Sequence, residues 1–145
     1  MQSGARNAVR LAADANVLLS CVLGGRARLI LLHPLIEQVL TTEATLAEVR
    51  EYAPVLARKK KIAPELIELA VASLPVVVQN HESYSKAITK ARLQPEWRDS
   101  DDIDLLALAL SENIAIWSND ADFERCTVEC YPTARLLSLL GIYQR

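Results

Sequence analysis

The chain has 145 residues, enough for one domain with a real core, and is 51% hydrophobic and 23% charged, the profile of an ordinary globular protein. A net charge of −2 provides no global attraction to nucleic acid, so any such binding has to come from a local basic patch. Cys21, Cys126 and Cys130 form no C-x-x-C pair, which excludes a disulfide scaffold and fits a reducing cytoplasm; with only His33 and His81 to join them, zinc is not indicated. The first ten residues are polar and the longest apolar run, Leu29 to Leu32, stops at His33-Pro34, so neither a secretory signal nor a membrane span is expected.

Val9 to Ala13 reads as a first buried strand, ending at Asp14-Ala15-Asn16 where a helix over Val17 to Val22 takes over. Asp14 suits an N-cap there, and Gly24-Gly25 stops the helix. Arg26 to Leu32 forms a short second helix closed by Pro34, and Ile36 to Thr41 supplies the second strand. Thr41 and Thr42 can cap a helix over about Ala44 to Leu56, in which Leu46, Val49, Ala53 and Leu56 recur at helical spacing and Glu48 flanks the buried face. The run Arg58-Lys59-Lys60-Lys61 reads as a soluble interhelical loop or, alternatively, a phosphate-contacting patch. Glu65 to Leu74 is the next helix, with Leu66, Leu69, Ala70 and Leu74 inward; the β-branched Val76 to Val78 is a strand, and His81 to Ala91 a helix. Pro95 breaks the chain before four acids in six positions, Asp99, Asp101, Asp102 and Asp104, which lead into the apolar helical run Leu105 to Leu110. Ala115 to Trp117 is a strand ending in Ser118-Asn119-Asp120-Ala121-Asp122; Val128 to Tyr131 is the last strand, and Ala134 to Leu140 a C-terminal helix stopped by Gly141.

Strands and helices therefore alternate throughout. This predicts a three-layer α/β/α sandwich with a mostly parallel central sheet, as one domain over residues 1–145. Acids recur at corresponding places: Asp14 after the first strand, Glu48 in the helix after the second, Asp101 and Asp102 at a helix start, and Asp120 after a later strand. A parallel sheet can bring these to one crevice. The chain has no G-x-x-x-x-G-K, G-x-G-x-x-G or G-x-S-x-G, and its histidines belong to no triad. A carboxylate-rich site without His or Cys suits Mg²⁺ or Mn²⁺, ions that activate water for in-line attack on a phosphodiester. A phosphoacceptor or phosphatase with Asp14 as nucleophile ranks lower, because no lysine follows Val76–Val78 or Ala115–Trp117.

Four local patterns, spanning Leu11 to Leu140, resemble the PIN domain family, which includes the VapC-type ribonuclease toxins. They are Ala13-Asp14-Ala15-Asn16-Val17-Leu18; Val39-Leu40-Thr41-Thr42 with Leu46-Ala47-Glu48-Val49; Arg98-Asp99-Ser100-Asp101-Asp102 running into Leu106 to Leu110; and Ile116-Trp117-Ser118-Asn119-Asp120-Ala121-Asp122-Phe123. The resemblance implies Asp14, Glu48, Asp102 and Asp120 as metal-binding acids. It favours Asp102 over its neighbours for its place five residues before Ala107. Asp122 could assist a second ion, while Asn16, Ser118 and Asn119 could orient acids or water, or simply make local turn bonds. The implied function is an Mg²⁺- or Mn²⁺-dependent endoribonuclease leaving 5′-phosphate and 3′-hydroxyl ends, with an antitoxin protein and a second copy of the chain as partners. The alternative is a non-catalytic module of the same fold that binds RNA or a partner protein. Trp117 belongs to the core on this reading. Trp97 packs on a helix or stacks on a base, and Arg50 and Arg98 could touch phosphate.

Overall fold

The computed structural model describes residues 9–93, 100–121, 123 and 127–142. Trp97, Arg98, Asp99, Asp122 and Cys126 lie outside them, as do the side chains of Ser100 and Asp101. The elements run β1 (Val9–Ala13), α1 (Ala15–Val22), α2 (Ala27–Leu31), β2 (Ile36–Thr42), α3 (Glu43–Lys59), α4 (Pro64–Ala72) and β3 (Val77–Gln79). They continue through α5 (His81–Tyr84), a 3₁₀ turn (Ser85–Ala87), α6 (Ile88–Arg92), α7 (Ser100–Glu112), β4 (Ala115–Trp117), β5 (Cys130–Tyr131) and α8 (Thr133–Leu139).

Among the described residues the sheet has five strands in the order β3-β2-β1-β4-β5, and every pairing is parallel. Strand alternation sorts its side chains onto two faces. Leu11, Ala13, Val39 and Trp117 join a cluster with Val17 and Leu18 of α1, Ile30 of α2, Val49 and Ala53 of α3, Ile67 of α4 and Leu136 and Leu137 of α8. Ala12, Leu40 and Ile116 point the other way, against Tyr84, Ile88, Ala91 and the continuous run Leu105 to Ala109 of α7. The predicted three-layer α/β/α architecture is thus observed, with a sheet that is wholly parallel. Among the described residues no helix is long and apolar enough to cross a membrane.

Several expectations need correcting. Of α4, Ile67 is the residue that is buried, while Leu66 and Leu69 are 61% and 63% exposed. This helix is apolar on several sides, so periodicity could not choose its face, and it lies at the margin of its layer, where only a narrow stripe is covered. The helix expected over His81 to Ala91 is split by the 3₁₀ turn. Ser83 and Ser85 hydroxyls donate to the carbonyls of Asn80 and Glu82, three residues back, which favours the tighter turn. The last strand shortens to Cys130–Tyr131. The basic run is not an interhelical loop throughout: Arg58 and Lys59 form the last turn of α3, where positive charge complements the helix C-terminus, and only Lys60 and Lys61 lie beyond it. Lys61 adopts the left-handed conformation, φ 60°.

Candidate functional site

In the order β3-β2-β1-β4-β5, the chain adds β2 and β3 on one side of β1 and then returns to the other side with β4. The carboxyl ends of β1 and β4 therefore flank a topological switch point, where loops diverge and leave a crevice. A cleft of about 110 Å³ lies there, lined by Asp14, Ala15, Asn16, Thr45, Glu48, Asp102, Leu105 and Asp120. Four acids from four separate stretches thus meet at one place. Asp14 is buried, Glu48 and Asp102 are half-buried, and Asp120 is exposed.

Each acid is set by local structure. Asp14 follows β1 and caps α1, its Oδ1 accepting from Val17 N–H at 2.9 Å. Its Oδ2 accepts from the Ser118 hydroxyl, which in turn accepts from Asp120 N–H at 3.0 Å. One serine at the end of β4 therefore ties the Asp14 carboxylate to the backbone of Asp120. Capping and site roles are not alternatives for Asp14, since a carboxylate has about four lone-pair sites and the cap uses one. Burial pushes the Asp14 carboxyl above its ordinary range; the bonds from Ser118 and Val17 oppose this, and the charge of Asp120 adds to it.

Glu48 is delivered by the paired threonines at the end of β2. The Thr41 hydroxyl donates to Ala13 O at 2.9 Å, fastening β2 to the end of β1, and Thr42 Oγ1 caps α3 by accepting from Thr45 N–H at 2.9 Å. Thr45 and Glu48, three residues apart, then share a helix face toward the cleft. Asp102 comes from the first turn of α7.

Other candidates separate from the cleft. Asp104 accepts from the Tyr84 hydroxyl at 2.9 Å and holds α5 on α7. Asn119 Oδ1 accepts from Thr133 N–H at 2.7 Å, and Trp117 Nε1 donates to Thr133 Oγ1 at 3.0 Å, so both residues bind the end of β4 to the start of α8. Trp117 is fully buried, as its place in a central strand led us to expect. Arg50 lines a different groove, between α3 and α4, with Ile67 and Glu68. The basic run stands at the far end of α3: Lys59 lies eleven positions beyond Glu48, ~16 Å along the helix. Thr45 is the lining residue that the sequence reading overlooked. The available signal was its spacing, one turn before Glu48.

The donor set fits a hard divalent cation: among the described residues, four carboxylates, no histidine and no thiol line the cleft. Burial, with the neighbouring charge of Asp120 as a smaller cause, raises the Asp14 carboxyl, and such an ion would oppose both. The acids ring the cleft rather than close on one point, for among the described residues no three His, Cys, Asp or Glu side chains are drawn together as a metal-holding group.

Comparison with known proteins places these observations. No curated protein matches the chain in sequence. Among solved structures, the fold is similar to that of VapC20 from Mycobacterium tuberculosis, described as a sarcin–ricin loop cleaving toxin, with a TM-score of 0.56 and 19% identity over 81% of this chain and 95% of that one. At that identity the likeness speaks to fold. A family model for the PIN domain matches residues 13–140, from the residue before Asp14 to the end of α8, and the chain belongs to the PIN domain family.

Proposed function

We propose that the protein is an Mg²⁺- or Mn²⁺-dependent endoribonuclease that hydrolyses RNA phosphodiester bonds in the cleft at the β1/β4 switch point. One observation carries this: Asp14, Glu48, Asp102 and Asp120, far apart in sequence, line a single small cleft at the carboxyl edge of the sheet. Membership of the PIN family and the likeness to a VapC toxin support the nuclease class. On this reading the four acids hold the cation, with Asp122 a candidate for a second ion. When bound, the cation offsets phosphate charge and acidifies water. Asp14 and Asp120, joined through Ser118, fix one wall of the site; Glu48 and Asp102 form the other. We read the whole chain as one such domain acting in the cytoplasm. Its further partners on this reading are an antitoxin protein that covers the cleft and a second copy of the chain. The outward Leu139 of α8, 63% exposed, is available to a dimer contact.

The test is cleavage of an RNA panel with and without Mg²⁺ or Mn²⁺, by wild type and by Asp102→Asn. Metal-dependent cleavage by wild type, reduced by at least about 100-fold in the variant, is the expected result. Equal residual activity in both would reject the assignment. Absence of saturable Mn²⁺ binding would favour a non-catalytic module of the same fold.

A further inference from the structure

The cleft contains a buried hydroxyl to which none of the roles above is given. Thr45 is 3% exposed yet lines the cleft beside Asp14, Glu48 and Asp102. Its hydrogen bonds settle where its proton goes. Thr42 Oγ1 already accepts from Thr45 N–H, and lies 2.8 Å from Thr45 Oγ1. Thr42 is fully buried, and among the described residues Thr45 Oγ1 is the one acceptor recorded for its hydroxyl proton. Reversing that bond would strand a donor in the interior, which is costly. Thr42 therefore donates and Thr45 accepts, and the Thr45 proton is left to point toward the cleft.

This matters because the rest of the lining is poor in donors. The four carboxylates only accept when ionised, and among the described residues the one other side-chain donor in the lining is the amide of Asn16, which is exposed. An anionic phosphate entering such a site meets acceptors on most sides, and a fixed hydroxyl inside it supplies a hydrogen bond that the acids cannot. We infer that Thr45 is a substrate-binding residue whose hydroxyl donates to an anionic oxygen of the RNA phosphate held in the cleft. The inference rests on the nuclease reading above and adds to it a recognition group on the protein itself, independent of the cation.

The experiment compares Thr45→Val and Thr45→Ala, which both lack the hydroxyl and differ in bulk, with Thr45→Ser, which keeps it. RNA cleavage and Mn²⁺ titration are measured on each. Valine and alanine are expected to lower kcat/KM about 30-fold, serine to stay within about threefold of wild type, and Mn²⁺ affinity to stay within about twofold in all three. Wild-type cleavage by the valine and alanine variants overturns the inference. So does a loss of Mn²⁺ affinity in step with activity, which would make Thr45 a prop for the acids, and so does serine as impaired as valine, which would assign the effect to the methyl group. A wild type that cleaves no RNA overturns the nuclease reading and this inference together; an active wild type beside an equally active valine variant overturns the inference alone.

Discussion

The two edges of the sheet contrast in size and in chemistry. At the amino edge a groove of about 540 Å³ runs between β1, β4 and α8, lined mainly by apolar side chains such as Val9, Leu35, Ile36, Leu136 and Leu139. Its two charged members are already committed: Arg10 donates to Gln38 at 2.9 Å and pairs with Glu112 at 2.8 Å, and Glu129 accepts from the Tyr131 hydroxyl at 2.7 Å. At the carboxyl edge the cleft is about a fifth as large by the volumes of about 110 and 540 Å³, yet it gathers four acids and a buried hydroxyl. Volume follows from how the helices splay over the sheet. Chemistry follows from what residue ends each strand, and in an open parallel sheet only the carboxyl ends at the switch point bring such residues together. The smaller space is therefore the candidate site.

The contrast can be broken most forcefully at Asp14. Asp14→Asn is expected to reduce RNA cleavage by at least about 100-fold while raising the melting temperature at neutral pH, since it removes a buried charge and keeps an oxygen for the Val17 cap. The sign follows from the raised carboxyl. The folded state holds the Asp14 proton more tightly than the unfolded chain does, so this group favours the fold most below the ordinary carboxylate range and loses that contribution as pH rises through its folded value. The stability difference between wild type and variant should therefore shrink on acidification, as followed by thermal melts across pH. A variant that loses activity and stability together at neutral pH would contradict this.

A smaller effect is expected at Ser118, which touches the acids without being one. Ser118→Ala should weaken Mn²⁺ binding about 10-fold, the usual scale for removing a hydrogen-bond partner of a ligand, with threonine restoring most of it. Unchanged binding would confine Ser118 to a turn role. The smallest effect belongs to the amino edge. Arg10→Ala breaks a partly exposed ion pair and should cost under about 1 kcal/mol of stability, with cleavage unaltered. A large loss of activity there would mean that the two edges are not functionally separate.

Much of this organisation was legible in the residues. The β1 and β4 strands have the bounds their apolar runs predicted, because each is short, buried on both faces and cut off by a polar cluster. Asp14, Asp102 and Asp120 were legible because they stand where strands end or a helix begins; Glu48, inside α3, was singled out by its place beside the buried face and by the family pattern. What could not be read depended on contacts across the fold. Nothing in Asn119 announces that its amide serves Thr133, and nothing in Asp104 announces Tyr84; either could have faced the cleft. The inward face of α4 was misread because a helix with Leu66, Ile67, Leu69 and Val71 offers several apolar stripes, and only packing against α3 selects Ile67. Thr45 was hidden as an ordinary helical threonine until the polarity of its bond with Thr42 gave it a direction.

The pairing of β1 with β4 also sets a timetable. Asp14 and Ser118, bonded side chain to side chain, are separated by 104 positions along the chain. During synthesis Asp14 and Glu48 leave the ribosome early, but the wall that completes their cleft arrives only when β4 and the loop after it have emerged. A nascent chain that has not yet exposed β4 therefore carries Asp14, Glu48 and Asp102 but lacks Ser118 and Asp120, so its cleft is incomplete.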